Sequence, residues 1–418
     1  MADCETVTGV EQTRGNLLFE ELSDLSTLYR TKENLHRLEI LLIDYFACTA
    51  SEAKKSRVSP SLLYDDGVIG KSAWLALRAS EGDRDDIDWT VGTHPGSVVW
   101  STVFSVCLHH EKARENFVEA VLVGYRTSAS VARFLGVGHR SKWHVTGTTG
   151  AFAAASAASV ALGYPSAVHQ KALRLTGANI GASALAPRQR DGAAGFNRSA
   201  ATILGTTAAM AAADGTVAVE NLWDGPFGIL EMYSASDFPT EARLTVDGVT
   251  TTSLRLFPAT GFAQSAVLAA AVLARRNTAE LESLHVHVAE GAITWLDGTR
   301  GGFWWDVKAM VAAAWSSKDP TSLTPNAELL DRIVIIPASL PMGAASVEVV
   351  TSSGREIETI TTPPGADFDD PREVDWMNTK WRALVGGQLS EVQDISKALI
   401  AGSNSAELWD RVKRLIDH

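Results

Sequence analysis

The stretch WHVTGTTGAFAAASAASVALGY (143–164) decides how this chain is read. From 151 to 162 it is built almost wholly from Ala, Ser and other small residues, with no charge. A surface helix would carry charged residues on its outer face. This one carries none, so it belongs at the centre of a helical bundle, where small side chains let backbones approach closely. Residues 199–213 repeat the composition and belong beside it. Around this pair, LHRLEILLIDYFACTASEA (35–53) places apolar residues three and four apart, the spacing of a buried amphipathic helix. Residues 111–134 do the same, and the glycines at 136 and 138 suit its C-terminal end.

Beyond about 242 the period changes. SLHVHVAE (283–290), DRIVIIPA (331–338) and ASVEVVTSSGREIETITT (345–362) alternate or run β-branched and read as strands, with SSGR as a hairpin turn. Helical stretches at 261–276 and 304–317 make this part α+β. After the turn residues PPGADFDDP (363–371) the pattern returns to helix. The expected fold class is mainly α with an α+β insertion. A helical domain comprises 1–240 and 377–418, and the α+β segment runs from 241 to 376. A length of 418 residues suits two such units.

Composition narrows the function. A net charge of −12 with no basic stretch argues against a nucleic-acid partner. Cys4, Cys48 and Cys107 are far apart with no CxxC spacing, so no disulfide framework or structural zinc site is expected and a cytoplasmic home is the simplest. The polar, acidic MADCETVTGVEQ does not read as a signal peptide, and no apolar run approaches the ~20 residues that cross a bilayer.

Two of the ten histidines stand in informative surroundings. His94 lies in WTVGTHPGSVVW, behind the acidic run GDRDDID (82–88), where Asp86 or Asp88 could orient a ring nitrogen. His144 opens the 143–164 stretch. There Thr146, Thr148, Thr149 and the glycines at 147 and 150 offer hydroxyls and amides to an anionic oxygen at a helix N-terminus. Arg188 and Arg190 in APRQRDGAAG, and Arg255 in LRLFPAT, could each hold a carboxylate bidentately. His285 and His287 alternate on one strand with no third ligand at sensible spacing, so no metal site is expected.

Taken together, THPGS (93–97), the 143–164 stretch, the Ala/Gly helices that follow, LRLFPATGFAQSAVLAA (254–270) and PPGADFDDP with Lys380 nearby resemble the MmgE/PrpD family over nearly the whole chain. That family includes 2-methylcitrate dehydratases, cis-aconitate decarboxylases and iminodisuccinate epimerases. The resemblance implies a helical domain with a smaller α/β lid, an active site between them, and a homodimer formed through the helical domain. It implies a small carboxylic acid as substrate and proton transfer next to a carboxylate. The departures are specific. Where many members carry a lysine, RQRDGAAGFNRSA offers Arg188, Arg190 or Arg198; after FPA, where several carry a histidine, Thr260 and Gly261 follow; the family's later tyrosine falls near Lys308 or Met310. Fewer polar positions also admit a larger, less charged substrate, as in a biosynthetic tailoring pathway.

The function expected is a cofactor-independent lyase, a dehydratase first, with an isomerase or epimerase, a decarboxylase, or a catalytically silent homologue as alternatives. A Cα–H is a very weak acid, so a base must act together with groups that stabilise charge on the carboxylate. His144 is the expected base and His94 the acid or orienting group, or the reverse. Asp88, Thr146, Thr148, Arg188, Arg190, Arg255, Thr260 and Lys308 are the expected substrate contacts. The scheme calls for no metal.

Overall fold

A computed structural model describes residues 14–28, 30–50, 67–189, 191–223, 227–233, 243–296 and 306–417. The small-residue helices do form the centre. Helices α1 (Arg14–Ser23), α2 (Lys32–Ala50), α3 (Val68–Ser80), α4 (Pro95–His109), α5 (Phe117–Lys142), α6 (Val145–Ala161), α7 (Ser166–Gly177), α8 (Leu185–Gln189) and α9 (Asp191–Ala213) precede a short α10 (Ile229–Met232). All of α6 is buried, and it packs against α9, α5 and α4. A side chain at Gly205 of α9 would put its Cβ 2.2 Å from the Ala151 carbonyl oxygen, which is why this crossing needs its missing side chain.

Helix α5 differs from the expected end near 136–138. It continues to Lys142 across a kink at Gly136, whose φ of 72° and ψ of −167° leave the helical region. The turn beyond the kink, carrying His139 and Arg140, is thereby re-aimed.

The sheet-containing segment follows the pattern of its β-branched runs. Two residues of β1 (Ile87–Asp88) pair antiparallel with β2 (Thr252–Ser253), a ladder too short for periodicity to show. After α11 (Gln264–Arg276) come β3 (Leu281–Ala289), α12 (Val307–Ser317), β4 (Ile333–Ala338), β5 (Ala345–Thr351) and β6 (Gly354–Ile360). The sheet order is β4-β3-β5-β6, with β3 and β4 parallel and the other pairs antiparallel. Helices α11 and α12 pack together and against the strands. On β3, His285 pairs with Glu348 of β5 at 2.8 Å, a cross-strand contact.

Helix returns directly after the turn residues, as their composition suggests, ahead of the 377 boundary drawn for the helical domain. Asp370 caps α13 (Pro371–Val385) by accepting from Arg372 N at 2.8 Å, and Pro371 fits a first turn that needs no amide donor. Then come α14 (Leu389–Ile400) and α15 (Ala406–Asp417). These C-terminal helices lie back on the first ones. Trp409 packs edge-on against Phe104 and Phe117, at centroid distances of 6.1 and 5.7 Å. On α13, Lys380 forms a buried ion pair with Asp44 of α2 at 2.6 Å, and Trp381 Nε1 donates to the same carboxylate at 2.8 Å. Lys380 also donates to the Arg84 carbonyl at 2.8 Å, so α13 braces the acidic loop ahead of His94. No helix among the described residues is long and apolar enough to cross a membrane.

Removing one partner of a buried pair leaves an uncompensated charge and costs roughly 3–5 kcal/mol. Lys380→Met should therefore lower the urea midpoint markedly, whereas Lys397→Met on α14, outside any such pair, should leave it nearly unchanged. Equal midpoints for the two variants would show that α13 is not held this way.

Candidate active site

Both informative histidines sit in the wall of one cavity of about 490 Å³. Its wall combines the 83–94 loop, the end of α5, the start of α6, α8 and α9 with Thr260, Gly261, Phe262, Glu290, Gly291 and Met342. The helical and sheet-containing parts of the chain thus both contribute.

His94 is the residue just before α4, with Pro95 starting the helix. Its backbone N–H donates to Thr146 Oγ1 at 3.0 Å, which ties the two histidine segments together. Its Nδ1 lies 2.8 Å from the Asp86 carbonyl oxygen. A carbonyl can only accept, so Nδ1 carries the proton and Nε2 is left with the lone pair. Burial pushes the ring's pKa down to about 3, and the Arg198 and Arg255 cations add to the effect. His94 is therefore a neutral imidazole at physiological pH.

The orienting group is a backbone carbonyl rather than a carboxylate. The Asp86 carboxylate instead accepts from Gly96 N at 2.9 Å and from Tyr125 Oη at 2.7 Å, while Trp100 Nε1 donates to that tyrosine oxygen. Burial raises Asp86 to about 7, with the neighbouring Asp85 adding to the shift. Asp88 accepts from Thr90 N, Thr90 Oγ1 and Thr251 Oγ1 and lies in β1, away from the cavity wall.

His144 precedes α6 and is 8% exposed. Its backbone N–H donates to the Ala182 carbonyl at 2.9 Å, and Asn197 Nδ2 donates to its Nδ1 at 3.1 Å. An amide donor at Nδ1 excludes a proton there, so the neutral ring carries its proton on Nε2. The two imidazoles are thus complementary: one holds a lone pair on Nε2, the other a proton.

The expected anion cradle after His144 is occupied from within. The amides of Gly147 and Thr148 donate to the His144 carbonyl, and Thr149 Oγ1 donates to the Val145 carbonyl. Thr148 Oγ1 meets His139 Nε2 at 2.8 Å behind the wall, and Thr146 serves the His94 amide. Thr146 and Thr148 are positioning groups for the loop and do not line the cavity. Arg188, Arg255 and Thr260 do line it. Lys308 is on the exposed side of α12, away from the wall, and Met310 is in the core. Arg190 lies outside the described residues.

The acidic run contributes through other members than the ones expected. Arg255 pairs with both Asp83 and Asp85, its Nε donates to the Asp85 carbonyl at 2.7 Å, and Arg198 pairs with Asp85 at 2.8 Å. Burial alone would raise the Asp83 carboxyl, but Arg255 overrides this and holds it below the usual range. Asp83, Asp85, Asn197, Arg140 and Trp89 were not among the expected site residues. The run 82–88 and RQRDGAAGFNRSA pointed to the right segments, but not to these members.

The arrangement is that of a mainly helical protein with two histidines and several ionised side chains in the wall of one cavity. Residues 75–242, which hold both histidines, match the family model of the MmgE/PrpD N-terminal domain. Over that stretch the chain is similar to the MmgE/PrpD family, whose members are generally hydro-lyases or related enzymes. No curated protein matches the chain.

The tautomer is directly testable. In a ¹⁵N-resolved titration, His94 (assigned by loss of its signals in His94→Gln) should stay neutral with the proton on Nδ1 from pH 8 down to pH 5. A midpoint near the ordinary 6.5, or a proton on Nε2, would contradict the hydrogen-bond assignment.

Proposed function

We propose that the protein is a cofactor-independent lyase of the dehydratase type, acting on a carboxylic acid at the His94–His144 cavity. One observation carries this reading: His94 and His144 share one wall, with opposite protonation at Nε2.

In this reaction His94 Nε2 removes the proton on the carbon next to the substrate carboxylate, becoming an imidazolium. The electron pair moves onto the carboxylate oxygens. The Nε2–H of His144 donates a hydrogen bond there, as a neutral electrophile rather than a proton donor, because imidazole loses its second proton only with great difficulty. Cationic groups in the wall lower the same developing charge. The carbon–oxygen bond to the β-hydroxyl then breaks, and the imidazolium of His94 returns its proton to the leaving oxygen, releasing water and the alkene. This assigns the base to His94, the reverse of the first expectation. An anionic substrate beside the ring favours the imidazolium and so raises its basicity when it is needed.

Three further expectations belong to the same reading. The 241–376 segment acts as a lid, the chain works as a cytoplasmic homodimer, and Thr260 takes a place in the substrate wall. If epimerisation or decarboxylation is the natural outcome, the same abstraction or the same charge stabilisation serves it.

A panel of 3-hydroxy acids in deuterated water, followed for alkene absorbance, deuterium at the α carbon and CO2, distinguishes these outcomes. His94→Gln should lose α-deuterium exchange and elimination together, by ~10²–10⁴-fold for a general base. His144→Gln should slow both, with its melting curve unchanged. Exchange at the wild-type rate in a folded His94→Gln protein would remove His94 as the base.

A further inference from the structure

The cations of the cavity are not equivalent. Arg255 and Arg198 are matched by Asp83 and Asp85, and Arg188 is engaged within the protein. Arg140 differs. It is half-buried in the wall, on the turn beyond the Gly136 kink, and packs over Gly92. Among the described residues it forms no hydrogen bond and no ion pair. Asp88, the acid whose field acts on it, has its carboxylate bonded to Thr90 and Thr251. A half-buried guanidinium without a partner is costly unless a ligand supplies the anion.

Most of the remaining wall is apolar. Trp89 and Phe262 meet edge-on with centroids 5.7 Å apart at 68°, and Ile87, Val137, Trp143 and Met342 continue the surface. The volume falls within the ~300–1,000 Å³ of pockets that enclose drug-sized ligands. Glu290 also lines the cavity, so a second or third carboxylate would meet a like charge. Each of these features disfavours a small polycarboxylate.

We infer that the cavity takes an amphipathic monocarboxylic acid, with its carboxylate on Arg140 and a bulky aryl or similar apolar body against Trp89 and Phe262. The inference rests on the lyase reading for the chemistry but not for the binding. Arg140 then holds the carboxylate that acidifies the neighbouring C–H, and the aromatic pair selects what lies beyond it.

Calorimetric titration of the full chain tests this with 3-phenylpropanoate, which has no β-hydroxyl to lose, its neutral amide, and propane-1,2,3-tricarboxylate. The phenyl acid should bind at least about tenfold tighter than either comparator, given what a charge-assisted contact contributes. Arg140→Gln should weaken the acid roughly 10- to 100-fold and leave the amide unchanged. Trp89→Ala should weaken acid and amide alike, and Arg140→Lys should recover part of the loss because the charge remains. Melting curves identify any variant that fails to fold, and the wild-type ranking of the three probes stands independently of them. Tighter binding of the tricarboxylate, no saturable binding of the phenyl acid, or an Arg140→Gln protein that is folded and binds normally overturns the inference. His94→Gln should still bind the phenyl acid. If it does while no acid exchanges deuterium with the wild type, the lyase reading fails and the substrate class stands.

Discussion

Two arginines and two aspartates, paired in one cluster of which only Asp83 is partly exposed to the cavity, are the constraint on which the rest of the site depends. Arg255 lies between β2 and α11, Arg198 is on α9, and Asp83 and Asp85 belong to the loop between α3 and β1. Each ion would cost several kcal/mol to bury alone. Together they are neutral, and the Asp85 carbonyl takes a further Arg255 donor. Asp83 has a φ of 54°, an uncommon conformation for a residue with a side chain, and its pairing with Arg255 helps hold it there. The cluster ties three distant segments into one wall, so any arrangement without this loop in place would strand two guanidinium groups away from water. The cluster lies beside His94, where its arginines add to the effect of burial on the ring and its aspartates oppose it.

The loop is held from behind as well. Lys380 reaches the Arg84 carbonyl from α13 while paired with Asp44 on α2, and Asp86 fastens the first turn of α4 through Gly96. Tyr125 and Trp100 complete that second anchor. The C-terminal helices therefore matter to the site without touching the cavity. This gives a physical role to the lysine near PPGADFDDP, which the sequence alone offered only as part of a resemblance.

The helices and strands were legible because burial imposes a period, and both the 3.6-residue and the 2-residue patterns are strong here. His94 and His144 were legible because each precedes a helix in a Gly- and Thr-rich setting. Partner choice was not. In GDRDDID, four aspartates have the same local chemistry, and only the tertiary positions of Arg198, Arg255 and Tyr125 decide that Asp83 and Asp85 make ion pairs while Asp86 caps a helix. Thr146 and Thr148 could equally have faced a ligand or the backbone; His139 and the His94 amide took them. Arg140 stayed hidden because Gly136 reads as a helix end. The actual kink carries the helix on and delivers the arginine to the wall.

That His94 leans on a carbonyl rather than a carboxylate has a chemical consequence. A carboxylate at Nδ1 would favour the imidazolium and raise the ring's proton affinity whether or not substrate was present. The Asp86 carbonyl fixes the same tautomer without adding charge, so burial keeps the ring neutral. In the proposed reaction a base of this kind is weak while the cavity is empty. It strengthens when an anion enters, because a carboxylate beside the ring favours the imidazolium. Selection of an acid and activation of the base then become one electrostatic event. A neutral analogue of the same shape would fill the apolar wall and leave His94 too weak to act, so discrimination would appear in turnover even where binding was permissive.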